Sequence, residues 1–246
     1  MKPTYSTKRH TVAFGRAGIE FQLKRSKRRT LAITVKPDAT VWVTAPCGAA
    51  LEVVTAKVWK RAVWIRRQQI FFENYLPPMP PRRYVTGETH RYRGRQYRLK
   101  VIEGAEEGVK LKGRFLWVQT RRKRDTRRAK ALLEAWYAEH ARWAFEKSVA
   151  VCAGKFNGQL AGAPRLRLRH MPKRWGSWTK RGVIYLNPEL ILAPPSCIDY
   201  VVTHELCHLV HASHGAEFFA LLRKTMPDWE QRKARLEQLA AESGVR

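Results

Sequence analysis

Apolar and polar residues alternate in short runs between residues 10 and 45. Leu31, Ile33 and Val35 alternate with Ala32 and Thr34, and Val41 and Val43 flank Trp42. A period of two puts one set of side chains on a buried face, so these runs predict strands, with Gly15, Gly18 and the segment KPDAT as turns. Between 48 and 75 the period changes: Leu51, Val54, Val58, Ala62 and Ile65 step by three and four. That spacing predicts a helix with Lys57, Lys60, Arg61, Arg66 and Arg67 on its other face. The run LPPMPP at 76–81 ends it, because proline lacks the donor that a helix interior needs. Residues 89–120 return to alternation, with Tyr97, Leu99 and Val101 against Arg98 and Lys100 and with GVKLKGRFLWVQT as a hairpin partner. Asp125 is placed to cap a helix over 126–153 whose stripe is Leu133, Trp136, Tyr137, His140 and Ala144. His140 reads as part of that stripe and not as a ligand. The rest predicts a strand at 165–171, a loop, a strand at 182–187, a helix over about 196–212, and two more helices divided at Pro227.

This order predicts an α+β fold. A strand-rich region over 1–124 with one long helix precedes a helical region over 125–246. No apolar run approaches the roughly 18 residues of a membrane span. The N-terminus has no apolar stretch of the secretory kind, so a cytoplasmic protein without a membrane contact is expected. Cys47, Cys152, Cys197 and Cys207 are widely spaced and form no CxxC pair. That excludes a disulfide scaffold and makes Cys47 and Cys152 read as small buried hydrophobes.

Charge changes the picture more. Lys and Arg total 48 against 20 Asp and Glu, a net +28. Residues 1–130 hold 32 of the bases and 9 of the acids, a net +23. Such a surplus releases counterions on binding polyanions, so contact with DNA or a nucleotide is expected through KRSKRR (24–29), RYRGRQYR (91–98) and RRKRDTRR (121–128). Trp and Tyr among these runs can stack on bases, although most occupy core-like positions.

The chemistry concentrates in VVTHELCHLVHASHGAEF, residues 201–218. His204 to His208 is HExxH. Positions i and i+4 on a helix lie about 40° apart around the axis and about 6 Å along it, so two imidazoles converge on one ion. Glu205 then falls beside the ion, where it can take a proton from metal-bound water. Ser196 and Asp199 resemble a capping box, with Pro194 and Pro195 just outside the helix. His211 faces the same way as His204, but it lies about 10.5 Å along the axis, too far to share an ion with His204. The third ligand must come from chain that has left the helix. Ser213-His214-Gly215 supplies a histidine before a residue free to take positive φ, which assigns His214, with Glu217 as the next candidate. His211 reads as solvent-facing or as a support to the ligands. Three protein ligands leave a position for water, the catalytic pattern, and three imidazoles favour zinc.

HExxH followed by HGAEF resembles the SprT-like and WLM zinc metallopeptidases, which share an HG-x-x-F signature. The fuller resemblance is to their YgjP-like bacterial relatives. RWGSW (174–178), GVIYLNPELILAPP (182–195) and IDYVVTHELCHL (198–209) stand in that family's order. KRSKRRTLAITVKPDATVWVTAP, WIRRQ and MPDW extend the likeness over nearly the whole chain. The resemblance implies a zincin-like metallopeptidase domain behind a basic N-terminal region, with His204, His208 and His214 as metal ligands and Glu205 as the catalytic glutamate. One position departs: Trp178 stands where the family has a small Cys, Ser or Thr.

The expected activity is peptide-bond hydrolysis by a Glu205-activated zinc-bound water, with Arg174 as a candidate substrate or oxyanion contact. Asn187, before Pro188, reads as a turn residue. RLRLR (165–169) puts Arg165, Arg167 and Arg169 on one strand face. That is a solvent face or, if it forms the sheet edge above the metal, a place for a peptide to pair. Because some SprT-like proteins cut proteins attached to DNA, the resemblance implies a DNA-directed protease. Two other functions fit the same residues. One is metal-dependent hydrolysis of a nucleotide or other phosphorylated small molecule. The other is nucleic-acid binding with a structural metal, against which the intact Glu205 argues.

Overall fold

In a computed structural model, described over residues 7–15, 18–36, 38–73, 82–172 and 174–243, the periodicities become three sheets and six helices. The LPPMPP run lies outside the described residues. The chain divides into two compact units, built on Met1–Met79 and on Pro80–Ala240.

The first unit has β1 (Lys8–Val12), β2 (Ile19–Ser26), β3 (Ala32–Val35) and β4 (Val41–Pro46), in the order β1-β2-β4-β3. β2 and β4 run parallel, and the other pairs are antiparallel. α1 (Leu51–Lys60) and α2 (Ala62–Glu73) follow. Ile19, Phe21, Val43 and Ala45 share one core with Val54, Val58, Ala62 and Ile65. The stripe of the expected single helix is therefore buried from Val54 to Ile65, while Leu51, at the start of α1, is exposed. The helix itself breaks at Arg61, which leaves helical geometry at φ −103°, ψ 7°. Cys47 is exposed, in the turn after β4, and Cys152 is buried. Cys47 is thus not the core residue expected, because the turn takes it off the sheet's inner face.

The second unit opens with β5 (Thr89–Tyr92), β6 (Arg95–Glu103), β7 (Gly108–Lys112) and β8 (Phe115–Thr120), in the order β5-β6-β8-β7. β7 and β8 form the hairpin within 108–120, and β8 then runs parallel to β6. α3 (Thr126–Ala153) begins at Asp125, whose carboxylate accepts from the Arg128 N–H at 2.9 Å. This cap satisfies one of the helix's unpaired donors. A second sheet contains β9 (Arg165–Leu168), β10 (Gly176–Trp178) and β11 (Val183–Leu186), in the order β10-β11-β9. β11 is parallel to β9 and antiparallel to β10. A 3₁₀ turn at Pro188–Leu192 leads to α4 (Pro195–Val210), α5 (Ala216–Thr225) and α6 (Trp229–Ser243).

The break between units at residue 79 precedes the expected boundary at 124 by 45 residues. Burial explains the difference. Tyr92, Leu99, Val101, Leu116 and Val118 lie in one core with Leu133, Trp136 and Phe145 of α3 and with Leu206 of α4. The β5–β6 turn is tied to the 3₁₀ turn by Arg93 N–H to Ile191 O at 2.8 Å and Gly94 N–H to Leu192 O at 3.0 Å. Composition shifts near 124, but the core does not end there. Among the described residues no helix is long and apolar enough to cross a membrane.

α4 starts differently from the expected capping box. Pro195 is its first residue and Pro194 its cap, with no side-chain cap bond. Proline suits this position because its missing N–H is one that the first turn cannot pair anyway. Asp199 instead accepts from Ser148 Oγ at 2.5 Å, joining α4 to α3.

Candidate metal centre

α4 buries Ile198, Val201, Val202 and Leu206 in the core, so its register is fixed by packing. That register turns His204 and His208 to one side. The helix ends at Val210, and His211 leaves it with φ −123°, ψ 106°. The chain then reverses, so that His214 returns to the two helical imidazoles just before α5. Gly215 caps α5 in an extended conformation, φ −81°, ψ −176°. Its expected positive φ is not used, because the reversal is completed before it.

Three ring nitrogens converge. His214 Nε2 lies 3.1 Å from His208 Nε2 and 3.1 Å from His204 Nε2. One ligand atom from each of the three lies within 4.8 Å of the others. Metal–nitrogen bonds of about 2.0–2.1 Å in a tetrahedral site separate the nitrogens by about 3.3–3.4 Å. The spacing therefore fits one ion. The protonation pattern fits as well. The His208 Nδ1–H donates to the His211 carbonyl at 3.2 Å, which leaves the Nε2 lone pair free for the cluster. Burial holds His204 down at about 3, with the neighbouring His208 and His214 adding to the effect, and burial also lowers His208. Both rings are neutral near pH 7, as a metal ligand must be.

Aromatic rings fix the cluster from two sides. Phe218, fully buried on α5, has its centroid 5.1, 4.6 and 4.7 Å from those of His204, His208 and His214. Trp178 stacks on His208 at 5.5 Å and 12°. Trp178 thus supports the His208 ring by contact. His211 contributes through its main-chain carbonyl, while its ring meets Glu217 at 3.4 Å. Glu217 is turned to that partner and takes no part in the cluster.

Glu205 is 6% exposed. Burial raises its carboxyl to about 7 against the opposing charge of Arg174. β10 makes the burial tight: a Cβ on Gly176 would lie 2.6 Å from Glu205 Oε1. A pocket of about 640 Å³ opens over the cluster, with Trp178, His204, Glu205 and His208 in its lining. Arg174 is an exposed residue of the same pocket. Asn187 caps the 3₁₀ turn and donates to the carbonyls of Met171 at 3.0 Å and Arg174 at 3.4 Å, so this turn residue also holds those two residues. The strand that lines the pocket is β10, not the arginine-bearing β9, which occupies the opposite edge of the sheet. β10 reads as a loop in sequence, and the glycine in RWGSW is the one local sign of a close backbone approach.

The sequence profile of the YgjP-like, metallopeptidase domain family matches residues 29–239. The chain belongs to the YgjP-like metallopeptidase family. It is a hydrolytic enzyme, and the family implies a catalytic metal, which the histidine triad fits. Among solved structures, this YgjP-like metallopeptidase aligns with the metallopeptidase zymogen of Pyrococcus abyssi abylysin. The alignment covers 40% of this chain and 93% of that one, at 20% identity and a TM-score of 0.34. No curated protein matches the sequence.

Proposed function

We propose that this YgjP-like protein is a zinc-dependent peptidase of zincin type in which Glu205 activates the attacking water. The observation that carries the proposal is a buried carboxylate and three converging imidazoles that line one pocket together with the edge strand β10. His204, His208 and His214 would hold the ion, which when bound supplies a Lewis acid that acidifies water and polarises a carbonyl. Glu205 does the proton work. With its carboxyl near 7, it accepts a proton from the attacking water and returns it to the leaving amine as the C–N bond breaks. The free edge of β10 has no strand partner among the described residues, so an extended peptide can pair there and bring its carbonyl over the triad. Arg174, an exposed residue of the same pocket, would donate to the developing oxyanion. The cationic surplus of residues 1–130 would recruit the enzyme to nucleic acid.

A nucleoside triphosphate is a weaker fit. Its phosphates need several unpaired cations. The pocket offers Arg174 and Lys233, and Lys233 pairs with Glu237 at 3.9 Å. The test is full-length, zinc-verified protein assayed against an unfolded protein, with and without single-stranded DNA, and against nucleoside triphosphates. Glu205→Gln should keep its zinc and lose roughly 10²- to 10⁴-fold in turnover. Nucleotide hydrolysis without proteolysis would overturn the peptidase reading.

A further inference from the structure

The β5–β8 sheet has one face in the core and one in solvent. Leu99, Val101, Leu116 and Val118 point inward. On the other face, pairing aligns two rows across three strands. Arg98 lies beside Phe115, and Phe115 beside Lys112; Lys100 lies beside Trp117, and Trp117 beside Lys110. Each aromatic ring is thus flanked on both neighbouring strands by a cation. Neighbouring strands are about 4.8 Å apart, and successive rows on one face about 6.6–6.8 Å. The rings are half-buried, with centroids 6.2 Å apart, and Lys100 Nζ sits 4.1 Å from the Phe115 centroid and 4.5 Å from the Trp117 centroid.

These two rows contain four cations and no carboxylate. Of the acids that adjoin these rows, Glu107 is bound by Arg128 at 2.6 Å, Glu103 at the end of β6 accepts from the Lys123 N–H at 3.3 Å, and Glu106 is exposed. Beside Trp117 lies a hollow of about 260 Å³ whose lining includes Ile102, Lys110, Lys112 and the Gln119 amide, together with Glu106 and Glu107. The Trp117 indole N–H is buried and has no hydrogen-bond partner among the described residues. A solvated sheet face needs charge, but it does not need two large rings set between like charges. A polyanion with planar bases matches both features at once.

We propose that this face binds single-stranded nucleic acid, with Phe115 and Trp117 stacking on bases and Arg98, Lys100, Lys110 and Lys112 contacting phosphates. The proposal rests on the recruitment reading above and narrows it to one surface, on the same compact unit as the histidine triad. Stacking is indifferent to base identity, so DNA and RNA strands are both accommodated, and the enzyme would be directed to exposed single strands instead of to a sequence.

The test is fluorescence anisotropy of zinc-loaded, full-length protein with 20-nucleotide single strands of DNA and of RNA, a duplex, heparin, and vesicles of anionic phospholipid. Phe115→Ala with Trp117→Ala should weaken single-strand binding by roughly 10- to 100-fold, and Phe115→Tyr with Trp117→Phe should retain it. Lys110→Gln with Lys112→Gln, at exposed positions on β7, should lower the salt slope by roughly 1 to 1.5. These lysine changes keep the proposal testable if the alanine variant does not fold, as judged by near-UV circular dichroism. If wild type binds no single strand, recruitment itself fails. If wild type binds and all the variants bind equally, recruitment stands and this face is the wrong surface. Equal affinity for heparin or vesicles, unmoved by loss of the rings, would leave only a polyelectrolyte and overturn the proposal.

Discussion

Gly176→Ala tests how Glu205 is held. The added methyl would lie 2.6 Å from Glu205 Oε1, 2.8 Å from its Cγ and 2.9 Å from its Cδ. Unstrained contacts of this kind are about 3.5–4.0 Å, so roughly 1 Å must be found. α4 cannot supply it, because Val201, Val202 and Leu206 lock the helix in the core. The movement falls on the carboxylate or on the short edge strand β10. A 1 Å misplacement of a reacting group costs about 100-fold, roughly 2.7 kcal/mol of barrier. Overpacking costs about 1–3 kcal/mol of stability. The variant should keep wild-type zinc by elemental analysis, since the change touches none of the three ring nitrogens. Its kcat on an unfolded-protein substrate should fall about 100-fold, and its Tm by several degrees. A folded, zinc-replete variant with kcat within threefold of wild type would show that this contact does not position the base.

His214→Ala should cut zinc content sharply in dialysed protein; wild-type zinc would redirect attention to Glu217. Trp178→Ser removes the ring stacked on His208, a contact of roughly 0.5–1.5 kcal/mol. Zinc affinity in chelator competition should fall about 2- to 12-fold, and an unchanged affinity would refute the support assigned to Trp178. In zinc-free protein, burial holds His90, His204 and His208 below the ordinary imidazole value of 6.5. The folded state then binds fewer protons than the unfolded state, so their contribution is complete above pH 6.5 and is lost as pH falls below it. Denaturant midpoints should drop between pH 7.5 and 5.5, and His90→Gln should flatten part of that slope; parallel slopes would remove His90 from the account.

The elements that were legible in sequence are those whose signals are local. α3 spans Thr126–Ala153 as its stripe and Asp125 indicate, because cap and period agree there. The break at Arg61 was hidden because the buried stripe from Val54 to Ile65 continues across it. β10 was hidden for a different reason. Three residues, one of them glycine, carry no alternation, and only pairing with β11 makes them a strand. Charge changes near 124, while the buried core runs on from Tyr92 through α3. Charge describes the solvent face of the β5–β8 sheet, and the inner face decides which core it joins.

The candidate site divides in the same way. Helical period brings His204 and His208 together, and the axial rise removes His211, so the side-chain cluster was legible before any coordinates. What holds the cluster is not a side-chain motif. The His211 ring is excluded, yet its carbonyl selects the His208 tautomer, a role that sequence cannot display because every residue has a carbonyl. Glu205 follows His204 by one residue and so points about 100° away around the helix. A second element must come to meet it there, and the element that does is an edge strand, close enough only because residue 176 has no side chain. The glycine is therefore as much a condition of the proposed proton transfer as the glutamate. It lies 29 residues earlier, where neither helical nor strand periodicity connects the two.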